Sequence, residues 1–303
     1  MNDRKVVSLV TGGAGFIGGH LVDKLVSLGH EVRVIDNYSA ESNDNFHHNP
    51  DAHYHELDIC DYEKILPLFE GVNYVFHLAA QARIMVCMEK PQEACRTNYL
   101  GTCNVLEASR THGIKRVMYS STSSAYGLKN KPPLKETMPT DCLNPYSVSK
   151  VAGESLCKMY TDLWNLETVT FRYFNVYGER QPTKGQYAPV VGLFQKQREE
   201  GKDMTVVGDG KQTRDYTHVS DIVDANVRAA LSENEDVVGE IINVGTGTNH
   251  SVLDIVNFIG GFFKYIPERP GEARSTLADT TKIEKLLDFV PQNKLQDWIE
   301  ENE

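Results

Sequence analysis

The sequence of 303 residues predicts an α/β fold, with a doubly wound parallel sheet and a smaller mixed α/β domain. Short apolar runs rich in β-branched residues alternate with stretches whose apolar residues recur at helical spacing. This alternation is typical of a parallel sheet covered by helices on both faces. It loosens beyond about Asn175, where turn-rich and polar segments become frequent, and this change predicts the second domain.

The predicted strands are the short runs, which have the composition of buried strands. They are Val6–Thr11, Glu31–Asp36, Asn73–Ala79, Arg116–Ser121 and Thr168–Val176. The predicted helices carry apolar residues at intervals of three and four. They are Phe16–Leu28, Tyr62–Phe69, Pro91–His112, Val190–Glu200, Ser220–Leu231, Val252–Phe262 and Thr281–Phe289.

Composition and charge argue against several classes of function. The net charge of −11 disfavours a nucleic-acid or anionic-membrane surface, because both attract clustered lysine and arginine. No segment is apolar over the length of a membrane span, and the apolar run near the N-terminus is too short for a signal peptide. The six cysteines form no C-x-x-C pair or zinc spacing, so we expect reduced thiols in a cytoplasmic protein and no metal site.

The segment "TGGAGFIGGH" follows the first predicted strand and opens the first predicted helix. Its glycines, Gly12, Gly15 and Gly18, allow a tight turn and bring bare backbone and a helix N-terminus to a pyrophosphate. The second strand ends at Asp36, which is placed to accept hydrogen bonds from the ribose of NAD and would repel the extra phosphate of NADP. Asp58 lies in the segment "LDI" (57–59), where it could meet the adenine edge. These features predict NAD as the cofactor.

The segment "NPYSVSK" predicts a helix that begins with Asn144 as N-cap and Pro145 in the first turn. Tyr146 and Lys150 then lie one turn apart on the same face. Alone, such a pair is usually a solvated helix face. After a dinucleotide loop and the hydroxyl-rich segment "SSTSSAYG", it indicates a phenol that a nearby ammonium makes basic, because the positive charge lowers the pKa of the phenol.

Together these motifs resemble the extended short-chain dehydrogenase/reductases, and within them the NAD-dependent sugar-nucleotide epimerases and dehydratases. The resemblance covers nearly the whole chain and implies a Rossmann-type sheet. Besides the glycine loop and the Tyr–Lys pair, it rests on Asn98 and on four segments. These are "HLAAQ" (77–81), "SSTSSAYG" (120–127), "RYFNVYG" (172–178) and "GDGKQTRDYTHVSD" (208–221).

The resemblance implies roles for individual residues. Thr122 would hydrogen-bond the reacting sugar hydroxyl beside Tyr146, and Lys150 would also hold the nicotinamide ribose, so the implied catalytic residues are these three. The implied cofactor-binding residues are Gly12, Gly15, Phe16, Ile17, Gly18, Asp36, Asn37, Asp58, Ile59, Leu78, Ala79, Ala80, Gln81, Asn98, Ser120, Tyr146, Lys150 and Tyr173. The implied substrate-binding residues are Thr122, Ser123, Asn175, Arg214, Arg269, Glu272 and Thr276.

Within the substrate set, Asn175, Arg214 and Arg269 match residues that contact the diphosphate in the family, and Glu272 matches an acid at the uridine ribose. Thr276 stands where a large aromatic residue in some relatives restricts the space at C2 of the sugar. A small residue there would leave room for an N-acetyl group.

Two serines bear on the reaction. Related dehydratases carry Asp-Glu directly after the catalytic threonine, and decarboxylating relatives carry a glutamate two residues after it. Here these positions are Ser123 and Ser124, whose hydroxyls cannot replace carboxylates in proton transfer. The sequence therefore favours a UDP-hexose 4-epimerase. A UDP-uronate 4-epimerase, to which Arg83 would contribute, or another nucleotide-sugar oxidoreductase or dehydratase is the alternative.

The sequence further predicts that residues 1–175 form the NAD-binding domain, with 219–244 returning to it. Residues 176–218 and 245–303 would form the substrate domain. The resemblance implies a homodimer built on the long helix predicted at 91–112 and the Tyr146 helix, with a UDP-sugar as the small-molecule partner and no nucleic-acid or membrane partner.

Overall fold

The computed structural model describes residues 5–40, 46–183, 189–268 and 273–302. Its strands are β1 (Val7–Thr11), β2 (Glu31–Asp36), β3 (His53–Glu56), β4 (Tyr74–His77), β5 (Arg116–Thr122), β6 (Glu167–Tyr173), β7 (Val176–Tyr177), β8 (Met204–Val207), β9 (Thr213–Asp215), β10 (Thr217–His218), β11 (Ile241–Val244), β12 (Asn249–Ser251) and β13 (Phe263–Ile266).

The α-helices of the described residues are α1 (Phe16–Ser27), α2 (Tyr62–Ile65), α3 (Ile84–Glu89), α4 (Pro91–Cys95), α5 (Thr102–Thr111), α6 (Pro145–Trp164), α7 (Val190–Glu199), α8 (Val219–Leu231), α9 (Val252–Ile259), α10 (Thr281–Leu287) and α11 (Leu295–Glu301). Short 3₁₀ turns occur at Leu66–Phe69, Ser123–Tyr126 and Glu235–Val237, and a π-helical turn at Arg96–Gly101.

In the described chain, seven strands form one parallel sheet in the order β11-β6-β5-β4-β1-β2-β3. The strand order reverses between β1 and β4, which are neighbours. In open parallel sheets the crevice at the carboxyl ends of such strands is the ligand site. The predicted Rossmann-type α/β fold is confirmed.

Both faces of this sheet are buried. Leu9 and Val10 of β1 point to opposite faces and have no exposed surface. Each belongs to a different apolar cluster, and the two clusters cover the two faces of the sheet. A third cluster includes Phe194, Ile255 and Ile299 and lies outside the sheet. The boundaries of the two domains stay a prediction, although β11 pairs with β6 as expected for a segment that returns to the sheet.

Some elements differ from the sequence prediction. The single helix predicted at 91–112 is divided into α4, the π-helical turn and α5. The strand predicted to end at Val176 ends at Tyr173, because Asn175 takes a positive φ of 25°. The two-stranded sheets β7/β10, β9/β12 and β8/β13 were not predicted, since strands of two to four residues carry too little periodicity to recognise.

All six cysteines are free thiols. Among the described residues, no helix combines the length and apolar character that a bilayer crossing requires. The same residues contain no group of three or more histidine, cysteine or acidic side chains arranged to hold a metal ion.

Candidate active site

The glycine loop joins β1 to α1 at the carboxyl edge of the sheet. Gly12 has φ +72°, and a Cβ there would lie 2.8 Å from the backbone nitrogen of Ala79. A Cβ on Gly18 would lie 2.1 Å from the carbonyl oxygen of Gly12. Gly15 is the N-cap of α1, and Phe16, Ile17 and Gly18 form its first turn, which contains no acidic residue. The loop is therefore closely packed and ends in a helix N-terminus suited to an anion.

Asp36 ends β2 beside this loop. Its carboxylate accepts hydrogen bonds from the backbone nitrogens of Ala14 and Tyr38 at 3.0 and 2.9 Å. Burial raises the pKa of Asp36, and the two donors oppose that effect. Asn37 is exposed, and its side chain accepts from the backbone and hydroxyl of Ser39. The carboxylate of Asp36 is thus held at the loop by backbone donors.

The segment after β3 contributes at the same edge. Asp58 pairs with Arg96 at 2.8 Å and accepts from the backbone nitrogen of Cys60. Ile59 is buried, and its Cδ1 would be 2.5 Å from a Cβ on Gly101. Asp58 therefore already has partners within the protein, and its predicted contact with adenine stays a prediction.

The segment after β4 is held by a buried amide. Leu78 and Ala79 donate backbone hydrogen bonds to Thr11, at its carbonyl and hydroxyl. Asn98, in the π-helical turn, accepts from the backbone nitrogen of Gln81 at 2.7 Å and donates to its carbonyl at 3.0 Å. Asn98 also donates to Ser149 of α6. It thus holds the loop that contains Ala80 and links this loop to the helix of the Tyr–Lys pair.

A chain of hydroxyl contacts runs behind Ser120. The Asn226 amide nitrogen donates to the carbonyl of Ile222 at 2.8 Å and to the Tyr173 hydroxyl at 2.7 Å. Tyr173 and Ser120 are 3.0 Å apart. Either hydroxyl can be the donor in this contact, so Asn226, Tyr173 and Ser120 form one continuous chain of hydrogen bonds.

The sequence of α6 forms the helix start as predicted. Asn144 is the N-cap, makes a capping box with Ser147 and is followed by Pro145. Tyr146 is hydrogen-bonded with Thr122, the last residue of β5. Burial raises the pKa of Tyr146 to about 12, and the bond with Thr122 opposes this rise. We expected Lys150 to lower this pKa, but in the protein alone the cost of burial dominates.

Lys150 lies one turn further along α6 and is 3% exposed. Burial lowers the pKa of Lys150 to about 8, while the nearby Cys157 and Glu154 raise it. The lysine is therefore close to its titration point near neutral pH.

Ser123 and Ser124 follow Thr122 in a 3₁₀ turn and are half-buried. The backbone nitrogen of Ser124 donates to the Thr122 hydroxyl at 3.1 Å. The carboxylate of Glu154 in α6 accepts from Arg172 at 2.9 and 2.7 Å and from Ser121 at 2.5 Å. That carboxylate is therefore occupied by protein donors.

The segments predicted to bind the nucleotide meet at a buried carboxylate. Asp215 has no exposed surface. Its Oδ1 accepts from the backbone nitrogen and the hydroxyl of Thr246, at 2.8 and 2.7 Å. Its Oδ2 accepts from the backbone nitrogens of Gly247 and Ala278, at 3.0 and 3.1 Å. Burial raises the pKa of Asp215, and the hydrogen bonds from these four donors oppose that rise.

Three of the predicted substrate residues surround Asp215. The Asn175 side chain donates to the backbone carbonyl of Asp215 at 2.8 Å. Arg214 is half-buried in β9 and donates to the carbonyl of Thr213 at 2.9 Å. The backbone of Thr276 donates to the same carbonyl at 3.1 Å, and its hydroxyl is enclosed without a hydrogen-bond partner among the described residues. Arg269 and Glu272 lie outside the described residues, so their assignment stays a prediction.

Sequence reasoning missed two residues of the candidate site, Asp215 and Glu154. Asp215 belongs to the "TRDY" motif, of which we had interpreted only Arg214. Its partners are 31, 32 and 63 residues away, so no local pattern indicates them. Glu154 follows Lys150 at a spacing of four, a signal that could have indicated an acid near the lysine.

The fold and the site define a class. A parallel sheet with a glycine-rich loop at its switch point, and a Tyr–Lys pair on a helix that packs against β5 of this sheet, are the features of a dinucleotide-dependent oxidoreductase site. The chain belongs to the NAD dependent epimerase/dehydratase family, whose model matches residues 8–245. The family assignment made from the motifs is thereby confirmed, as is NAD as the cofactor.

Among curated proteins, the chain is similar to the UDP-glucose 4-epimerase of Mycolicibacterium smegmatis, with 35% identity over 96% of each chain. It is also 35% identical to the UDP-N-acetyl-alpha-D-glucosaminuronate decarboxylase of Bacillus cytotoxicus, over 97% of this chain and 95% of that protein. Among solved structures, the UDP-glucose 4-epimerase of Thermotoga maritima with UDP-glucose superimposes with a TM-score of 0.91 at 35% identity, covering 97% of this chain and 96% of that one.

The residues present fit NAD. Gly12 and Gly18 leave no room for a Cβ against the neighbouring backbone, as the tight turn and close helix packing of a dinucleotide-binding loop require. The free N-terminus of α1 and the carboxylate of Asp36 would meet the pyrophosphate and a ribose.

Proposed function

We propose that the protein is a 4-epimerase of a UDP-hexose, which oxidises C4 transiently to a 4-keto sugar and reduces it again on either face. The Tyr146–Thr122 contact and the adjacent buried Lys150 support this proposal. The names of the relatives from M. smegmatis and T. maritima support it as well.

In this mechanism Tyr146 takes the proton of the 4-hydroxyl and later returns it, while Thr122 holds that hydroxyl by a hydrogen bond. Bound NAD would supply the acceptor for the C4 hydride and the donor for its return. Because burial raises the pKa of Tyr146 to about 12, the phenolate needs positive charge nearby. Lys150 supplies such a charge from within the protein, provided that its ammonium keeps its proton.

The observation that carries the choice of epimerase is the pair Ser123 and Ser124 beside Thr122. Elimination or decarboxylation in the related enzymes uses a carboxylate at this place. Neither serine can act as such an acid or base near neutral pH. Glu154 is the nearby carboxylate of α6, and it is bound by Arg172 and Ser121.

On the substrate side we propose that Asn175, Arg214, Arg269 and Glu272 bind the nucleotide. Ser123 and Thr276 would face the sugar, and the small Thr276 would admit an N-acetyl group. A second candidate substrate is a UDP-uronate. The cation of Arg83, half-buried at the start of α3, favours it, since α3 follows the loop after β4. A relative that acts on a UDP-uronate, the decarboxylase of B. cytotoxicus, is consistent with this alternative.

We further propose a cytoplasmic homodimer that forms through α5, α6 and the π-helical turn. Large apolar side chains are exposed on this face. They are Tyr99 (45%), Leu100 (46%), Val148 (52%), Leu163 (64%) and Trp164 (45%). Sedimentation velocity would test this assembly, and a monomer at micromolar concentration would contradict it.

The test of function is incubation of the protein with UDP-hexoses, their N-acetyl forms and their uronates, scored for the C4 epimer. We expect epimerisation without net accumulation of reduced nicotinamide. Tyr146→Phe should lower turnover by orders of magnitude and leave NAD affinity nearly unchanged. Release of carbon dioxide or water from the sugar, with no C4 epimer, would refute the proposal.

A further inference from the structure

A tyrosine that the proposed mechanism does not use lies against the lysine. Tyr119 of β5 has no exposed surface. The ammonium nitrogen of Lys150 is 4.4 Å from the centroid of the Tyr119 ring. The Tyr119 hydroxyl donates to the backbone carbonyl of Lys150 at 3.1 Å. A single side chain therefore contacts Lys150 at both its charged end and its backbone.

Helix α6 has a gap that fits this side chain. Gly153 lies in the interior of α6, where glycine weakens a helix. A Cβ on Gly153 would be 2.1 Å from the Tyr119 hydroxyl oxygen. Since Tyr119 is enclosed on all sides, its hydroxyl could not withdraw from such a side chain. The glycine is therefore explained by the position of Tyr119.

Among the described groups near Lys150, the Tyr119 ring is the one that directly contacts the ammonium. The titratable groups that interact with Lys150 or Tyr119 are Tyr146, Glu154 and Cys157 on α6 and His77 on β4. Arg172 on β6 pairs with Glu154. Burial raises the pKa of Cys157 to about 12 and lowers that of His77 to about 3, so both are neutral. Glu154, the carboxylate of this set, is already bound by Arg172.

We propose that Tyr119 is a positioning residue for Lys150. Its ring face holds the ammonium in place and in the charged form, and its hydroxyl fixes the turn of α6 that carries the lysine. The face of an aromatic ring attracts an ammonium most strongly where water is excluded. A buried lysine without such a partner loses its proton more easily. The catalytic part of this inference rests on the proposed function, because it assigns Lys150 to the reaction.

The ring is tested with variants that keep its shape. Tyr119→Phe removes only the hydroxyl, and mono-, di- and trifluorinated phenylalanines at position 119 then withdraw electrons from the ring face. We expect the alkaline limb of the pH profile of kcat/KM to move to lower pH along this series, by about one unit in total. Tyr119→Phe itself should stay near the wild-type limb. A limb that does not move along the series would overturn the proposal.

A measurement without turnover separates this inference from the proposed function. Tyr119→Leu, Lys150→Met and the double variant form a cycle, read as urea unfolding midpoints at about pH 6.5 and about pH 9.5. At the lower pH we expect Tyr119→Leu to lower the midpoint more when Lys150 is present than in the Lys150→Met background. At the higher pH, where Lys150 is neutral, this difference should disappear.

Equal losses in both backgrounds at the lower pH would overturn the inference, even in an active epimerase. The expected coupling in a protein that epimerises no UDP-sugar would support the contact and refute the proposed function. Tyr119→Met serves as the second variant of the cycle if Tyr119→Leu does not fold.

Discussion

Tyr146 and Lys150 lie on a 20-residue helix that packs against β5, whereas Arg214 and Thr276 lie on short segments around the buried carboxylate of Asp215. On the proposed catalytic side, the positions of the side chains follow from long elements and a capped helix start. On the proposed nucleotide side, loop residues Thr246, Gly247 and Ala278 are held by hydrogen bonds to one acid of the three-residue strand β9. We infer that the two sides can be disrupted separately. Substitutions on the catalytic side should mainly lower turnover, and substitutions on the nucleotide side should mainly weaken substrate affinity.

The pH dependence of stability and turnover tests the role of Lys150 on the catalytic side. Burial lowers the pKa of Lys150 in the folded protein to about 8, from its ordinary value of 10.5. Between these values the unfolded chain binds more protons than the folded one, so stability rises with pH. Over the same interval Lys150 loses its charge, and turnover should fall by roughly tenfold per unit. We expect wild type to gain about 3 kcal/mol of unfolding free energy relative to Lys150→Met.

Chemical denaturation of both proteins between about pH 7 and pH 10, together with rate measurements, checks this prediction. Parallel stability curves for wild type and Lys150→Met would contradict it.

A substitution in the glycine loop should weaken cofactor binding alone. Gly18→Ala places a Cβ 2.1 Å from a backbone oxygen, so the loop must move. We expect NAD affinity to fall by roughly 10- to 100-fold, measured by calorimetry on the folded protein. Gly19→Ala is the matched control on the same helix, since the nearest atom to its Cβ would be the Cβ of His47 at 3.2 Å, a much milder approach. Equal losses for the two variants would contradict this view of the loop.

Asp215→Asn should weaken binding on the nucleotide side. Each carboxylate oxygen accepts from two donors, so the amide NH₂ must face two donors whichever way it turns. We expect KM for the UDP-sugar to rise by roughly tenfold, with kcat and NAD affinity little changed.

The matched control for this substitution is Asp209→Asn. Asp209 lies in the same segment but is exposed and paired with Arg274. If kcat of Asp215→Asn falls by the same factor as KM rises, the two sides are not separable.

The smallest expected effect concerns the sugar. Thr276→Tyr should reduce turnover of UDP-N-acetylglucosamine a few-fold more than that of UDP-glucose, because the larger side chain would fill the space proposed for the N-acetyl group. The ratio of kcat/KM for the two sugars is the measurement. Thr276→Ser, which stays small, is the control, and an unchanged ratio in Thr276→Tyr would argue against a role for this residue in sugar selection.

Much of the fold and of the cofactor side could be predicted because the signals are local. The glycine loop, the end of β2 at Asp36 and the N-cap Asn144 are patterns of a few residues with direct physical causes. The family and NAD were confirmed, and the roles of the individual site residues stay predictions.

The parts that were not predicted depend on contacts between distant segments. In the sequence, nothing distinguishes Tyr119 from the other residues of a predicted buried strand, and only the packing of α6 places it against Lys150. The π-helical turn that places Asn98 at the loop after β4 also has no periodicity to indicate it. The raised pKa of Tyr146 depends on how deeply the hydroxyl is enclosed, which no sequence pattern gives.

The place of β11 has a consequence for synthesis of the chain. β6 ends at Tyr173, but the strand that covers its free side begins only at Ile241. Until the ribosome has released that later segment, the nascent sheet presents an unpaired, apolar border to other chains. Fragments that stop between these two strands should accordingly precipitate or recruit chaperones.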